Sequence, residues 1–187
     1  MYITGGEFKG KRLNIPKSKD TRPTRQLVKK AMFDVLGDFV CGKEVLDLFS
    51  GSGALGFEAL SRGANRVSFI ENRRGALKVI KENTRLLGQG LKCRVISRDA
   101  LLVLKGFKKQ GLKFDLVFAD PPYYQDLAKK CLFALDKYDI LRNSVIIVIE
   151  HYKKDKLPPQ VGRLKLYKLR QYGDTVVSFY TLKQIGD

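Results

Sequence analysis

Asp47-Leu48-Phe49-Ser50-Gly51-Ser52-Gly53-Ala54-Leu55-Gly56 follows a short apolar run, Glu44 to Leu48, and opens a helical pattern that continues to Arg62. A strand, a glycine turn and a helix in that order form the first unit of an open parallel α/β sheet. Outward from it, short apolar runs alternate with longer helical patterns as far as Glu150, as expected of a sheet covered on both faces. The spacing predicts strands at Glu44 to Leu48, Arg66 to Glu71, Lys92 to Ser97, Asp115 to Ala119 and Ser144 to Glu150. Helices are expected at Ala54 to Arg62, Arg74 to Leu87, Ala100 to Lys109 and Gln125 to Lys137, with Gly63, Gly88 and Gly90 as stops. Leu164 to Gln171 and Thr175 to Lys183 flank Tyr172-Gly173-Asp174 and read as an antiparallel β-hairpin on the sheet edge. The chain is therefore expected to be one domain of 187 residues: a basic arm and helix at 1–40, an α/β core at 41–150 and a terminal hairpin at 151–187.

Before the core, residues 2 to 15 suggest a small hairpin or extended arm, and Arg22 to Leu36 a helix with Pro23 in its first turn. Val28, Ala31, Met32 and Val35 make an apolar stripe, with Lys29 and Lys30 placed outside it. Lys and Arg total 36 against 19 Asp and Glu, a net charge of +17, of which residues 1 to 30 and 152 to 172 supply +13. Such an excess points to a polyanionic partner, and neither basic segment has the apolar face of a membrane anchor. No signal-like or membrane-spanning run is present, so a soluble cytoplasmic protein is expected. Cys41, Cys93 and Cys131 have neither metal-knuckle nor disulfide spacing and are expected as buried free thiols. The single histidine, His151, reads as structural, and no metal site is indicated.

The glycine turn and Glu71, at the end of the next strand, also match a dinucleotide fingerprint, which keeps a nicotinamide enzyme as a rival. Asp47 argues against it. A carboxylate beside the turn would repel a pyrophosphate and attract an ammonium or sulfonium, and S-adenosylmethionine carries both. Glu71 can accept from ribose hydroxyls, and Asp99, after the third strand, from the adenine amine. The candidate donor-binding residues are thus Asp47, Phe49, Gly51, Gly53, Glu71 and Asp99.

Asp120-Pro121-Pro122-Tyr123 ends the apolar run 115–119 and places an acid and an aromatic ring just beyond a buried strand, where such sheets do chemistry. A carboxylate, a backbone carbonyl and a flat ring suit an amine-bearing planar group. Asp120, Pro121 and Tyr123 are the candidate catalytic residues. Lys9, Lys11, Arg12, Arg22 and Arg25 are candidate contacts to the phosphates of a nucleic acid, with Phe8 available for stacking.

With these motifs in order, the chain resembles class I S-adenosylmethionine-dependent methyltransferases, and specifically the bacterial family that methylates the N2 amine of a guanine in small-subunit (16S) ribosomal RNA. The resemblance rests on Gly5-Gly6 with Gly10-Lys11-Arg12-Leu13, on Arg22-Pro23-Thr24, on Asp47 through Ala64, and on Glu71, Asp99 and Asp120 to Tyr123. It implies a Rossmann-like, seven-stranded, mainly parallel sheet, a donor held across Asp47, Gly51, Glu71 and Asp99, and a target base at Asp120 and Tyr123. It also implies a monomer acting on a small ribosomal subunit or an assembly intermediate. The chain departs from the family pattern at Arg25, Gln26 and Lys30, where relatives carry Thr-Asp and a later acid. Methylation of another amine, in DNA adenine or a protein glutamine, is the nearest alternative; a catalytically silent RNA-binding module with this fold is another.

Overall fold

β1 (Glu44–Leu48) lies inside the sheet, with strands that follow it in the chain on both of its sides. The structure, a computed structural model, describes residues 1–16, 23–123 and 126–182, except the side chains of 23–25. From β1 the chain steps outward through β2 (Arg66–Glu71) and β3 (Cys93–Ser97), then returns to the other side of β1 as β4 (Phe114–Ala119) and β5 (Leu141–Tyr152). These strands are parallel. The reversal between β1 and β4 creates the switch point at which open α/β sheets bind ligands, beyond the strand carboxyl ends.

Among the described residues the sheet has eight strands in the order β3-β2-β1-β4-β5-β8-β7-β6. The expected seven become eight because Gln160–Val161 adds a short β6 against β7 (Leu164–Tyr172). A two-residue strand has too little periodicity to be read from sequence. β8 (Thr175–Leu182) runs antiparallel between β5 and β7, so the hairpin extends the sheet as expected. β5 is longer than its apolar run at both ends, since Arg142 to Ser144 are exposed strand residues with no apolar signal.

Two apolar layers cover the faces. On one, α1 (Pro23–Leu36) and α2 (Ala54–Ser61) pack Phe33 and Phe57 toward Phe69, Phe118 and Phe179. On the other, α4 (Leu102–Lys109) and α5 (Leu127–Lys137) bury Leu104, Phe107, Cys131 and Leu132 against Leu46, Val117 and Ile147. α3 (Arg74–Leu86) brings Ile80 to the first layer. Side chains alternate along strands, so Val45, Phe69, Phe118, Val148 and Val177 assign a parity to the first face. Asp47, Glu71, Glu150 and Thr175 share that parity, and Asp120 continues it past β4. The register carries them to one edge: Ala119 is level with Leu48 and Ile149, which puts Asp120 and Glu150 level just beyond.

The arm is anchored. Tyr2 and Arg12 form an antiparallel bridge, and Ile3, Phe8 and Leu13 are buried. Phe8 is a core residue and is not available for stacking on a base, which corrects the expectation from sequence. Lys29 is also corrected: it is buried on α1, its ammonium 2.5 Å from Glu58 on α2 and 2.7 Å from the Tyr2 carbonyl. Glu58 also accepts from Thr4 N–H and hydroxyl and from Arg62. Burial would raise the Glu58 carboxyl, but Lys29 and the Thr4 donors hold it below its ordinary value. Cys131 is buried as expected, whereas Cys41 is exposed and Cys93 half-buried. No helix among the described residues is long and apolar enough to cross a membrane.

Candidate active site

The turn after β1 is held open by its own backbone and by β2. Ser50 N–H donates to the Ile70 carbonyl, the Ser50 hydroxyl to the Asp47 carbonyl at 2.6 Å, and Ile70 N–H back to the Ser50 oxygen. Phe49 adopts φ 59°, a left-handed conformation unusual for a side chain of that size. The glycines divide by role. At Gly51, with φ 56°, a Cβ would meet nothing closer than 3.9 Å, so the turn presents bare backbone to open space. At Gly53 and Gly56 a Cβ would lie 2.7 Å from the Phe57 ring and 2.3 Å from the Phe69 ring. Their missing side chains serve helix-on-sheet packing, and of the three only Gly51 has open space where its side chain would be.

Asp47 is buried behind this turn, and its Oδ2 accepts the Gly56 N–H at 3.0 Å. Burial pushes its carboxyl up to about 8; the Gly56 bond opposes this, and the charges of Asp120 and Glu71 add to it. Burial thus favours its protonated form, and a nearby cation would favour the ionised one.

Glu71, at the end of β2, accepts the Gly51 N–H on Oε2 and the Asn72 and Arg73 N–H groups on Oε1. The Arg73 guanidinium forks onto both oxygens at 3.2 Å. Burial would raise the Glu71 carboxyl, and the Arg73 bonds reverse the sign and hold it low. A carboxylate offers about four acceptor positions, so a ribose could reach this one only where Arg73 yields. Arg73 carried no motif signal in the sequence.

Asp99 is exposed, and its Oδ1 accepts the N–H groups of Leu101 and Leu102, capping the approach to α4. Beside it lies a groove of 690 Å³ lined by Asn72, Ile96, Asp99, Leu102 and Val103 among others. Leu102 is 79% exposed over it. The groove follows the β3 edge, on the Glu71 side of the switch point.

At the other side, Asp120 is half-buried and close enough for its charge to raise both Asp47 and the Tyr123 phenol. Tyr123 is raised first by burial; its hydroxyl lies 3.1 Å from Glu150 Oε1 and 3.1 Å from Thr175 Oγ1. Glu150 is 8% exposed. Neither Glu150 nor Thr175 was legible as a site residue, because their relation to Tyr123 depends on β5–β8 pairing. Asn83 was missed for a similar reason: fully buried on α3, it bridges Asn14 of the arm to the Ser52 carbonyl of the glycine turn.

The arm residues are placed differently from the acids. Phe8 N–H donates to the Ser61 hydroxyl, and Gly6 lies so close to the Ser61 carbonyl that a Cβ would be 1.7 Å away. Lys9 and Lys11 are therefore exposed near the carboxyl end of α2, about 12 Å in helix rise from the glycine turn at its other end. Arg12 is exposed one residue before Leu13. Arg22 lies outside the described residues, as does the Arg25 side chain. His151 is buried with Nε2 2.9 Å from the Ser178 hydroxyl, and burial lowers its pKa.

A family described as conserved hypothetical protein 95 matches residues 1–181. A putative rRNA methyltransferase, YlbH, of Bacillus subtilis is 36% identical, over 96% of this chain and 98% of its own length. Ribosomal RNA small subunit methyltransferase D of Escherichia coli strain K12 is 30% identical, over 100% of this chain and 92% of its own. Among solved structures, a putative methyltransferase, yhhF, from Escherichia coli superposes with a TM-score of 0.85 at 28% identity, covering 98% of both chains.

Proposed function

The chain belongs to the conserved hypothetical protein 95 family, and we propose that within it this protein is an S-adenosylmethionine-dependent methyltransferase acting on the exocyclic N2 amine of a guanine in small-subunit ribosomal RNA. The observation that carries this reading is the line of carboxylates on one face of the sheet at its switch point. Asp47 and Asp120 flank the reversal between β1 and β4, Glu71 lies on one side and the Tyr123–Glu150 pair on the other. The residues fit the donor. Gly51 offers open backbone, buried Asp47 favours a cation, Glu71 offers acceptors to a diol where Arg73 yields, and the groove at Asp99 has room for a flat base. S-adenosylmethionine, when bound, supplies a methyl group already activated by its sulfonium leaving group.

The protein's part is then to hold and orient an amine. A guanine amine lone pair is delocalised into its ring. Accepting the two amine hydrogens on the Asp120 carboxylate and the Pro121 carbonyl directs that lone pair outward, and holding it in line carries most of the catalysis. Asp120 need not deprotonate the amine first, because the proton can leave the nitrogen once methylation has made it cationic. Tyr123 supplies a flat wall for the base. A paired base cannot enter, so the target is unpaired or flipped out at a cost of about a few kcal/mol. The surplus of basic residues, including exposed Lys9, Lys11 and Arg12, suits the phosphates around such a base.

The test is transfer of labelled methyl from S-adenosylmethionine to unmodified small ribosomal subunits, free ribosomal RNA and DNA in parallel. Label is expected on one RNA guanine amine, absent with Asp120→Ala while donor affinity is kept. Label only on DNA, or near-normal turnover by Asp120→Ala, refutes the reading.

A further inference from the structure

We propose that Glu150 and Thr175 are positioning residues that pin the Tyr123 ring as the wall of the target-base pocket, which makes the carboxyl-terminal hairpin part of the active site. This rests on the amine-methylation reading above. Tyr123 belongs to a loop that leaves β4 through Pro121 and Pro122, neither of which has an N–H to tie it down. Its ring is instead tethered at the far end, where the hydroxyl meets Glu150 Oε1 at 3.1 Å and Thr175 Oγ1 at 3.1 Å.

The proton arrangement follows from the partners. The Tyr123 hydroxyl donates to Glu150, and its oxygen is left to accept from the Thr175 hydroxyl. The result is a directed chain from Thr175 through Tyr123 to Glu150. The fold sets both anchors. Glu150 is level with Asp120 on the neighbouring strand and shares its parity, and Thr175 begins β8 opposite Tyr152. The Tyr152 ring lies 6.0 Å from that of Tyr123 at 33°, backing the same wall. A ring fixed before the base arrives loses little freedom on stacking, which favours both binding and alignment with Asp120.

The prediction is a loss that passes through the phenol hydroxyl. With small ribosomal subunits or their RNA as substrate, Glu150→Ala should lower kcat/KM by about tenfold, mostly in KM, with donor affinity unchanged. Glu150→Gln, which keeps an acceptor, should recover most of it. In a Tyr123→Phe background, Glu150→Ala should add less than about twofold, because the bond is already gone. Thr175→Val keeps the strand's β-branched shape, so its smaller loss, also silent in Tyr123→Phe, serves if Glu150→Ala folds poorly. An equal loss from Glu150→Ala with and without the phenol hydroxyl overturns the proposal. Ring order in the free protein provides a readout that does not depend on the substrate. By NMR with labelled tyrosine, the Tyr123 ring should be fixed in the wild type and mobile in Glu150→Ala. If the wild type methylates no RNA, the proposed function fails, and a ring equally ordered in both proteins independently rejects the positioning role.

Discussion

Binding of the methyl donor should depend on pH through Asp47. The perturbation is a shift from pH 7.5 to 5.5, a window that lies below the α-amino pKa of about 8, so that the donor's amine is mostly protonated throughout. Burial is the main cause of the raised Asp47 carboxyl, and its pKa of about 8 means that the free protein carries this group mostly neutral at the top of the window and fully so at the bottom. If the donor's positive groups are held by ionised Asp47, binding must first remove that proton. The cost is about 1.4 kcal/mol for each pH unit below the folded pKa, or a tenfold loss of affinity per unit. Donor affinity should therefore fall by about a hundredfold from pH 7.5 to 5.5, with close to one proton released per donor bound. Titration calorimetry in buffers of different ionisation enthalpy reads both quantities. Asp47→Asn should bind weakly and without this slope. A wild-type affinity that changes less than about threefold over the window, or a slope that persists in Asp47→Asn, refutes the assignment of Asp47 to the cation. The stability sign is opposite. A carboxyl with a raised folded pKa contributes fully below its unfolded value of 3.8 and loses that contribution as pH rises toward 8. Asp47→Asn should thus resist urea at pH 8 at least as well as the wild type.

Arg73→Ala should tighten donor binding by a few-fold, about 1 kcal/mol, since it frees the buried Glu71 carboxylate from a guanidinium that is itself 70% exposed; the gain should shrink at high salt, and weaker binding would show that Arg73 aids the donor. Lys29→Met leaves Glu58 buried with half of its cationic support and should cost about 3 kcal/mol in urea unfolding, partly recovered by adding Glu58→Gln. A loss below about 1 kcal/mol would show the pair to be dispensable. Charge reversal at Lys11 and Arg12 should weaken RNA binding and lower the slope of log affinity against log salt by about 2; an unchanged slope would remove the arm from the interface.

The order of elements, the parallel core, the glycine turn, and the positions of Asp47, Glu71 and Asp120 at strand ends were determined by the sequence alone. Each depends on local pattern: apolar runs of strand length, helix-period stripes, and residues that interrupt them. Relations between distant segments were decided only in three dimensions. Lys29 reads as a surface residue beside an apolar stripe, yet it is buried because Glu58, on another helix, faces it. Gly53 reads as a ligand glycine, yet the Phe57 ring occupies the space its side chain would take. Glu150 reads as the polar end of a strand. It joins Tyr123 because β4–β5 register brings it level with Asp120 and β8 supplies Thr175 from the far side. Periodicity records which face a residue takes, whereas strand register and helix packing determine what it meets there, and neither leaves a local trace in the chain.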